Sequence, residues 1–159
     1  WEPQRDSGFF TPEHQSGTIR AKLQQYLAGL EVPWVLVEEW APADGGPGTE
    51  GDCGGRIVGT VTLTGIVRGP FLSANLGYWV DRELTGQGLG TAAVLLAAEH
   101  AGARLGLHRI QAATLLHNAA SRRVLQRAGF QEIGVAPAYL KIAGHWQDHL
   151  LHQLILPLP

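Results

Sequence analysis

Three glycines at every second position, Gly86, Gly88 and Gly90, follow a strand-like run and open a helical one. The stretch reads Tyr78-Trp79-Val80-Asp81-Arg82-Glu83-Leu84-Thr85-Gly86-Gln87-Gly88-Leu89-Gly90-Thr91. Glycine lets the backbone bend sharply and lets a ligand approach closely. A helix N-terminus adds unpaired N–H groups and about half a positive charge. Together these predict a phosphate or pyrophosphate site, against the plainer reading of a glycine-rich turn. A Walker loop requires Gly-Lys-Ser/Thr, and this loop has no lysine, which excludes a P-loop nucleotidase. Gly88-x-Gly90-x-x-Ala93 does fit the dinucleotide fingerprint. That fingerprint also wants the strand to enter the glycines directly, and an acid about 20 residues on. Here Asp81–Thr85 intervenes and the next strand ends Thr114-Leu115-Leu116-His117, so a nicotinamide site is a distant second.

Asn118 and Ser121 lie three apart at a helix start, on one side of its first turn. An N-cap followed by a tolerated first-turn serine explains the pair equally well without a ligand. His145, His149 and His152 suggest a metal at first glance. On a strand His149 and His152 point to opposite faces, so no metal site is expected. They read as surface or hydrogen-bonded histidines. Cys53 is the lone cysteine and sits among glycines, where an incidental loop thiol is the favoured reading over a nucleophile.

The elements that must hold these residues follow from periodicity. Thr11-Pro12-Glu13 is a helix start, with Thr11 as N-cap and proline at the first helical position. Ile19, Leu23, Tyr26, Leu27 and Leu30 continue it at helical spacing, and Gly29 and Pro33 end it. Pro33–Trp40 reads as a strand and Ala41–Gly55, rich in glycine, as a loop or hairpin tip. Arg56–Val67 and Ala74–Asp81 are the next strands, separated by a turn at Gly69-Pro70. Gly88–Gly106 reads as a helix with Leu89, Ala92, Ala93, Leu96 and Ala103 on one face, widened by Val94 and Leu95. Then come a strand His108–Leu115, a helix Ala119–Ala128 stopped by Gly129, and strands Phe130–Ile142 and Trp146–Leu156 around a turn at Ala143-Gly144-His145. The order is mixed α/β.

The chain has 159 residues, 45% hydrophobic and 16% charged, the size and balance of one domain over residues 1–159. The net charge of −2 gives no push toward nucleic acid, and no direct nucleic acid binding is expected. No apolar run approaches the roughly 20 residues of a membrane span, so no membrane partner is expected. The lone cysteine fits a reducing cytoplasm. There is no methionine and the first residue is Trp1, so residues are expected to precede it.

At Thr85-Gly86-Gln87-Gly88-Leu89-Gly90 the sequence resembles the coenzyme A pyrophosphate loop of GNAT acetyltransferases, written Gln/Arg-x-x-Gly-x-Gly/Ala. Further stretches fall in family order: Gly77–Asp81, Leu105–Ile110, Asn118–Leu125, Gly129-Phe130 and Gly144–His149. With the opening Trp1-Glu2-Pro3, they are similar to the subgroup that acetylates N-terminal residues of ribosomal proteins. The match covers nearly the whole chain. One position departs, Thr85 standing where the family has Gln or Arg.

The resemblance implies a GNAT fold, a central mixed and mostly antiparallel sheet flanked by helices. Its fourth and fifth strands splay apart, here Ala74–Asp81 and His108–Leu115, and a first strand and helix precede Trp1. It implies acetyl-coenzyme A as cosubstrate and no metal. Pantetheine would lie in the wedge near Trp79 and Val80. Thr85, Gly86, Gln87, Gly88, Leu89, Gly90 and Thr91 would wrap the pyrophosphate. Asn118 would contact the coenzyme, and Ser121 would protonate the departing thiolate as general acid. Trp34, Trp40, Trp79 and Trp146 could line an acceptor groove, though most fit a core or sheet face better.

The reaction is attack of a neutral amine on a thioester. An α-amine, pKa ~8, is partly neutral near pH 7.5, whereas a lysine at ~10.4 needs a strong positioned base. No glutamate is placed for that task. Asp81 and Asp148 are the weak base candidates, through water, and Asp148 fits a structural role as well. This favours a protein N-terminus as acceptor. A small amine acceptor and a non-catalytic coenzyme-binding module are the competing readings. A homodimer is possible.

Overall fold

A computed structural model describes residues 7–39 and 55–157. The expectations for Trp1-Glu2-Pro3, Trp40, Cys53 and most of the Ala41–Gly55 loop lie outside the described residues. Helix α1 runs Pro12–Leu27 and starts as its sequence requires, the Thr11 side chain accepting from the His14 N–H. Strands β1 (Glu31–Glu39), β2 (Gly55–Val67) and β3 (Ser73–Val80) follow, then helix α2 (Leu89–Ala103). Strand β4 (Arg109–Leu115), helix α3 (Ala119–Arg127) and strands β5 (Gln131–Ile142) and β6 (His145–Ile155) complete the order.

The six strands form one sheet in the order β1-β2-β3-β4-β6-β5. Only β3 and β4 are parallel; every other pairing is antiparallel. Pro33 is accommodated because β1 ends the row, where a strand can do without one ladder N–H. Ala143 and Gly144, both at positive φ, make a two-residue hairpin turn between the paired Ile142 and His145.

The core lies on one face. Val61 and Leu63 of β2, Ala74 and Leu76 of β3, and Ile110 and Ala112 of β4 meet Val94, Ala97, Ala98 and Ala101 of α2 and Leu125 of α3. The buried stripe of α2 is therefore not the expected one: Ala92 and Leu96 are exposed. An almost uniformly apolar helix has little preferred phase, and packing selects its small residues because they let the axis come close to the sheet. Gly90 continues this stripe at the N-terminal end. A methyl group there would sit 3.5 Å from Val124 and 3.7 Å from Val80.

Helix α1 forms where expected but buries none of its residues. Ile19, Leu23, Tyr26 and Leu27 are all exposed. It sits beside β1, tied by the Lys22–Glu31 ion pair at 2.6 Å. Among the described residues no helix is long and apolar enough to cross a membrane.

Candidate active site

Strands β3 and β4 pair at only three positions, Ser73 with Arg109, Ala74 with Ile110 and Asn75 with Gln111. Beyond these the two strands part, so the expected splay is present between Leu76–Val80 and Ala112–Leu115. Backbone N–H and C=O groups of a strand alternate sides. The Asp81 N–H donates to Val58 of β2 at 2.7 Å, whereas the Leu72 carbonyl accepts from His108 at the start of β4. Odd-numbered residues of β3 thus turn their amides to β2, and Tyr78 and Val80 turn theirs into the wedge. Of the expected pair Trp79 and Val80, it is Val80 that offers backbone there. Thr114, on the parted half of β4, is buried, and its hydroxyl has no protein partner.

The glycine loop closes the open end of the wedge. Gly86 and Gly88 adopt φ of 81° and 87°, which side chains disfavour. Gly88 caps α2 without any side-chain bond. The first-turn N–H groups of Leu89, Gly90 and Thr91 are left for a ligand. These backbone donors at a glycine-led helix start fit a pyrophosphate-bearing ligand. Thr85 differs from expectation: its hydroxyl donates to the Arg82 carbonyl at 2.8 Å, closing the short 3-10 turn before the loop. Its proton is committed within the loop, so any contribution to a bound phosphate falls to its neighbours' backbone.

Asn118 caps α3, its side-chain oxygen accepting from the Ser121 N–H at 3.0 Å. That leaves the amide nitrogen for a ligand, so capping and binding coexist. The Ser121 hydroxyl lies 2.8 Å from the Tyr78 hydroxyl, which is also 3.2 Å from the Ser121 carbonyl. Burial pushes the Tyr78 phenol above its usual pKa, and the bond to Ser121 opposes this. Tyr78 therefore stays protonated and acts as a donor. Sequence reasoning missed it. The signal was parity: Tyr78 shares its strand face with Ala74 and Leu76, the face that α3 covers.

The two base candidates are drawn into other contacts. Asp81 caps the 3-10 turn, accepting from Glu83 N–H at 3.0 Å, and pairs with Arg56 at 3.4 Å. Asp148 accepts from the Ala138 N–H at 2.8 Å. Ala138 has a left-handed φ of 48° and lies in a bulge where the pairing of β5 with β6 slips between Ala136 and Leu140. The bulge carries Tyr139 and Leu140 to the sheet face opposite α2 and α3. There they line a cavity of about 290 Å³ with Thr64, Asn75, Gln111, Ala113 and Leu151. The cavity opens where β3 and β4 begin to part, and among the described residues no carboxylate lines it.

The aromatic and histidine expectations divide. Trp34 packs on the core side against His100, rings 5.2 Å apart and near perpendicular, and Trp146 is exposed. His149 and His152 do face opposite ways but are buried, not at the surface. His149 Nδ1 lies 2.9 Å from the Gln147 carbonyl and its ring meets Tyr139. His152 forms no hydrogen bond to protein through either ring nitrogen. It borders a larger cavity, about 470 Å³, with Arg122, Gln126 and Glu132 on the far flank of α3. Neither Ser121 nor Tyr78 borders that cavity. Among the described residues no cluster of metal-ligating side chains occurs.

A wedge between parallel strands, a glycine-led helix without a side-chain cap at its mouth and a hydroxyl pair on its helix side make an α/β domain whose geometry fits a pyrophosphate-bearing ligand. Residues 5–131 match the acetyltransferase (GNAT) domain, and the chain belongs to that family. It is 41% identical over 102 residues to a probable N-acetyltransferase of Bacillus subtilis, YjcK, covering 64% of this chain and 56% of that protein. The ribosomal-protein-S5-alanine acetyltransferase structure from Vibrio fischeri superposes with a TM-score of 0.82 at 33% identity, covering 98% of this chain and 78% of that one. RimJ from Mycobacterium smegmatis in complex with CoA-disulfide gives a TM-score of 0.83 at 30% identity, covering 98% and 68%. The chain spans just over half the length of the curated relatives it matches.

Proposed function

We propose that the protein transfers the acetyl group of acetyl-coenzyme A to the N-terminal α-amine of a protein, of the ribosomal-protein type and in the cytoplasm. The observation that carries the acceptor is the cavity at the wedge. At about 290 Å³ it lies at the small end of ligand sites and holds one small residue. Its polar groups, Thr64, Asn75, Gln111 and Tyr139, are uncharged hydroxyls and amides. A polyamine brings several positive charges and calls for carboxylates. A chain terminus brings one amine and a string of peptide groups, which amides and hydroxyls satisfy. The names of relatives that act on ribosomal protein termini support the same reading.

In the reaction the neutral amine attacks the thioester carbon from the cavity side. The Val80 N–H is placed to bind the oxyanion that develops. The C–S bond then breaks and the sulfur gains a proton from Ser121. With Asp81 and Asp148 held in other bonds, water takes the ammonium proton before attack and a second proton from the same nitrogen after the N–C bond forms. The test is a pH–rate profile on two peptides, one with a free N-terminus and one blocked there with lysine free. The free peptide is expected to react, its rate rising with pH and levelling near ~8, the α-amine pKa. Comparable acetylation of the blocked peptide defeats the reading. Rapid turnover of a small amine with neither peptide active replaces the acceptor, and no turnover of any amine leaves a coenzyme-binding module.

A further inference from the structure

We propose that Tyr78 supplies and orients the proton that Ser121 gives to the departing sulfur. The proposal rests on the acetyl-transfer reading above. It begins from an energetic mismatch. A coenzyme thiol resembles cysteine, pKa ~8.5, and an aliphatic alcohol is a far weaker acid than that. Serine alone can hydrogen-bond a thiolate but is a poor source of its proton. A phenol is ordinarily ~10; burial pushes Tyr78 above that, yet it remains a far stronger acid than serine and is the neighbouring group nearest the thiol in acidity.

The geometry supplies the connection. The Tyr78 and Ser121 hydroxyl oxygens are 2.8 Å apart, and Tyr78 comes from β3, across the helix side of the wedge from α3. One proton lies between these two oxygens. If Ser121 donates to Tyr78, the serine proton is turned away from the wedge and the phenol donates to the Ser121 carbonyl at 3.2 Å. If Tyr78 donates to Ser121 Oγ, the shorter contact carries the phenol proton and the serine proton is free to point at sulfur. The second arrangement is the productive one. As the C–S bond breaks its electron pair goes to sulfur, which takes the Ser121 proton, and Ser121 takes the Tyr78 proton. The phenolate then recovers a proton from water, which has received one from the attacking amine. Counted from the neutral amine, one proton is lost by nitrogen and one gained by sulfur, so the sequence balances. Burial keeps the phenol protonated between turnovers.

Tyr78 does not touch the substrate in this arrangement; it acts through Ser121. Tyr78→Phe removes one oxygen and leaves the ring in its packing. It is expected to lower kcat roughly 10²-fold, the low end for a positioned acid, with KM for the peptide little changed. Ser121→Ala is expected to fall at least as far, and the double variant no further than Ser121→Ala, because the two act as one unit. With an acetyl thioester of an acidic aryl thiol, whose leaving group needs no proton, Tyr78→Phe is expected to match the wild type. Additive losses, or an equal defect with the aryl thioester, overturn the proposal. A second readout needs no acceptor: thiolate absorbance of bound coenzyme A across a pH titration. The thiol pKa is expected about half a unit or more higher in Tyr78→Phe than in the wild type, because the Ser121 hydroxyl loses the neighbour that turns its proton toward the thiolate. Equal values overturn the relay even if acetyl transfer is confirmed. A shifted value with no peptide acetylated keeps the relay and retires the acceptor assignment.

Discussion

Ser121 and Asn118 were legible as residues because their spacing matched both a cap and a family motif, and the structure shows the cap directly. Tyr78 was not, because nothing local to Gly77-Tyr78-Trp79 says which helix will cover it. The same holds for Asp148, whose partner is ten residues away across a hairpin. Its oxygen pins the left-handed Ala138 amide, and the bulge so fixed presents Tyr139 and Leu140 to the cavity proposed for the acceptor. We propose that its role is positioning rather than proton abstraction. Asp148→Asn keeps an accepting oxygen and is expected to retain kcat and the pH profile. Asp148→Ala removes a hydrogen bond worth about 1–3 kcal/mol and is expected to raise peptide KM severalfold with coenzyme affinity unchanged. Loss of kcat in Asp148→Asn, with a shifted pH limb, would return Asp148 to the role of base.

At the scale of elements, the strand and helix order was readable throughout the described residues, because strand alternation and turn glycines are local signals. Helix phase was not. The α2 sequence is apolar around most of its circumference, so the buried stripe is decided by what it meets, namely β2, β3 and Val124 of α3. This changes what Gly90 does. Its amide belongs to the proposed anion site, and its missing side chain lets α2 sit against Val80 and Val124. Alanine at 3.5–3.8 Å from those methyls makes ordinary contacts, so Gly90→Ala is expected to fold and bind coenzyme near normally. Gly90→Val overfills the contact and is expected to cost about 1–3 kcal/mol, lowering both thermal stability and coenzyme affinity. The pair separates packing from phosphate access: calorimetric binding lost in both variants at unchanged melting temperature would make the glycine purely a ligand-approach residue. Gly88 differs, having open space around it but a φ of 87°, so its requirement is conformational.

At the scale of the whole molecule, the sheet puts its two faces to different uses. One face packs α2 and α3 and holds the hydroxyl pair; the other presents the cavity proposed for the acceptor; the splay joins them. His152 lies on the helix-covered face of β6, next to Arg122 and Glu132, and only 2% of its surface is exposed. Burial lowers its pKa below the usual 6.5. The Glu132 charge and the nearby backbone of Leu150 and Ala112 push the other way, and Arg122 reinforces the lowering. The sign for stability follows. Above the unfolded pKa of ~6.5 the ring is neutral in both states and adds no pH dependence to stability. As pH falls below it the unfolded chain takes up a proton that the folded chain resists, so stability drops until the folded pKa is reached. The expected result is a melting temperature that holds from pH 8 to 7 and declines from pH 6.5 to 5. His152→Leu, which cannot charge and fills similar space, is expected to flatten that decline while leaving acetyl transfer at pH 7.5 intact, since His152 does not border the wedge cavity. An unchanged acid limb in His152→Leu, measured by differential scanning calorimetry in matched buffers, would assign the limb to other groups, with the Arg122–Glu132 pair at 3.3 Å the next to vary.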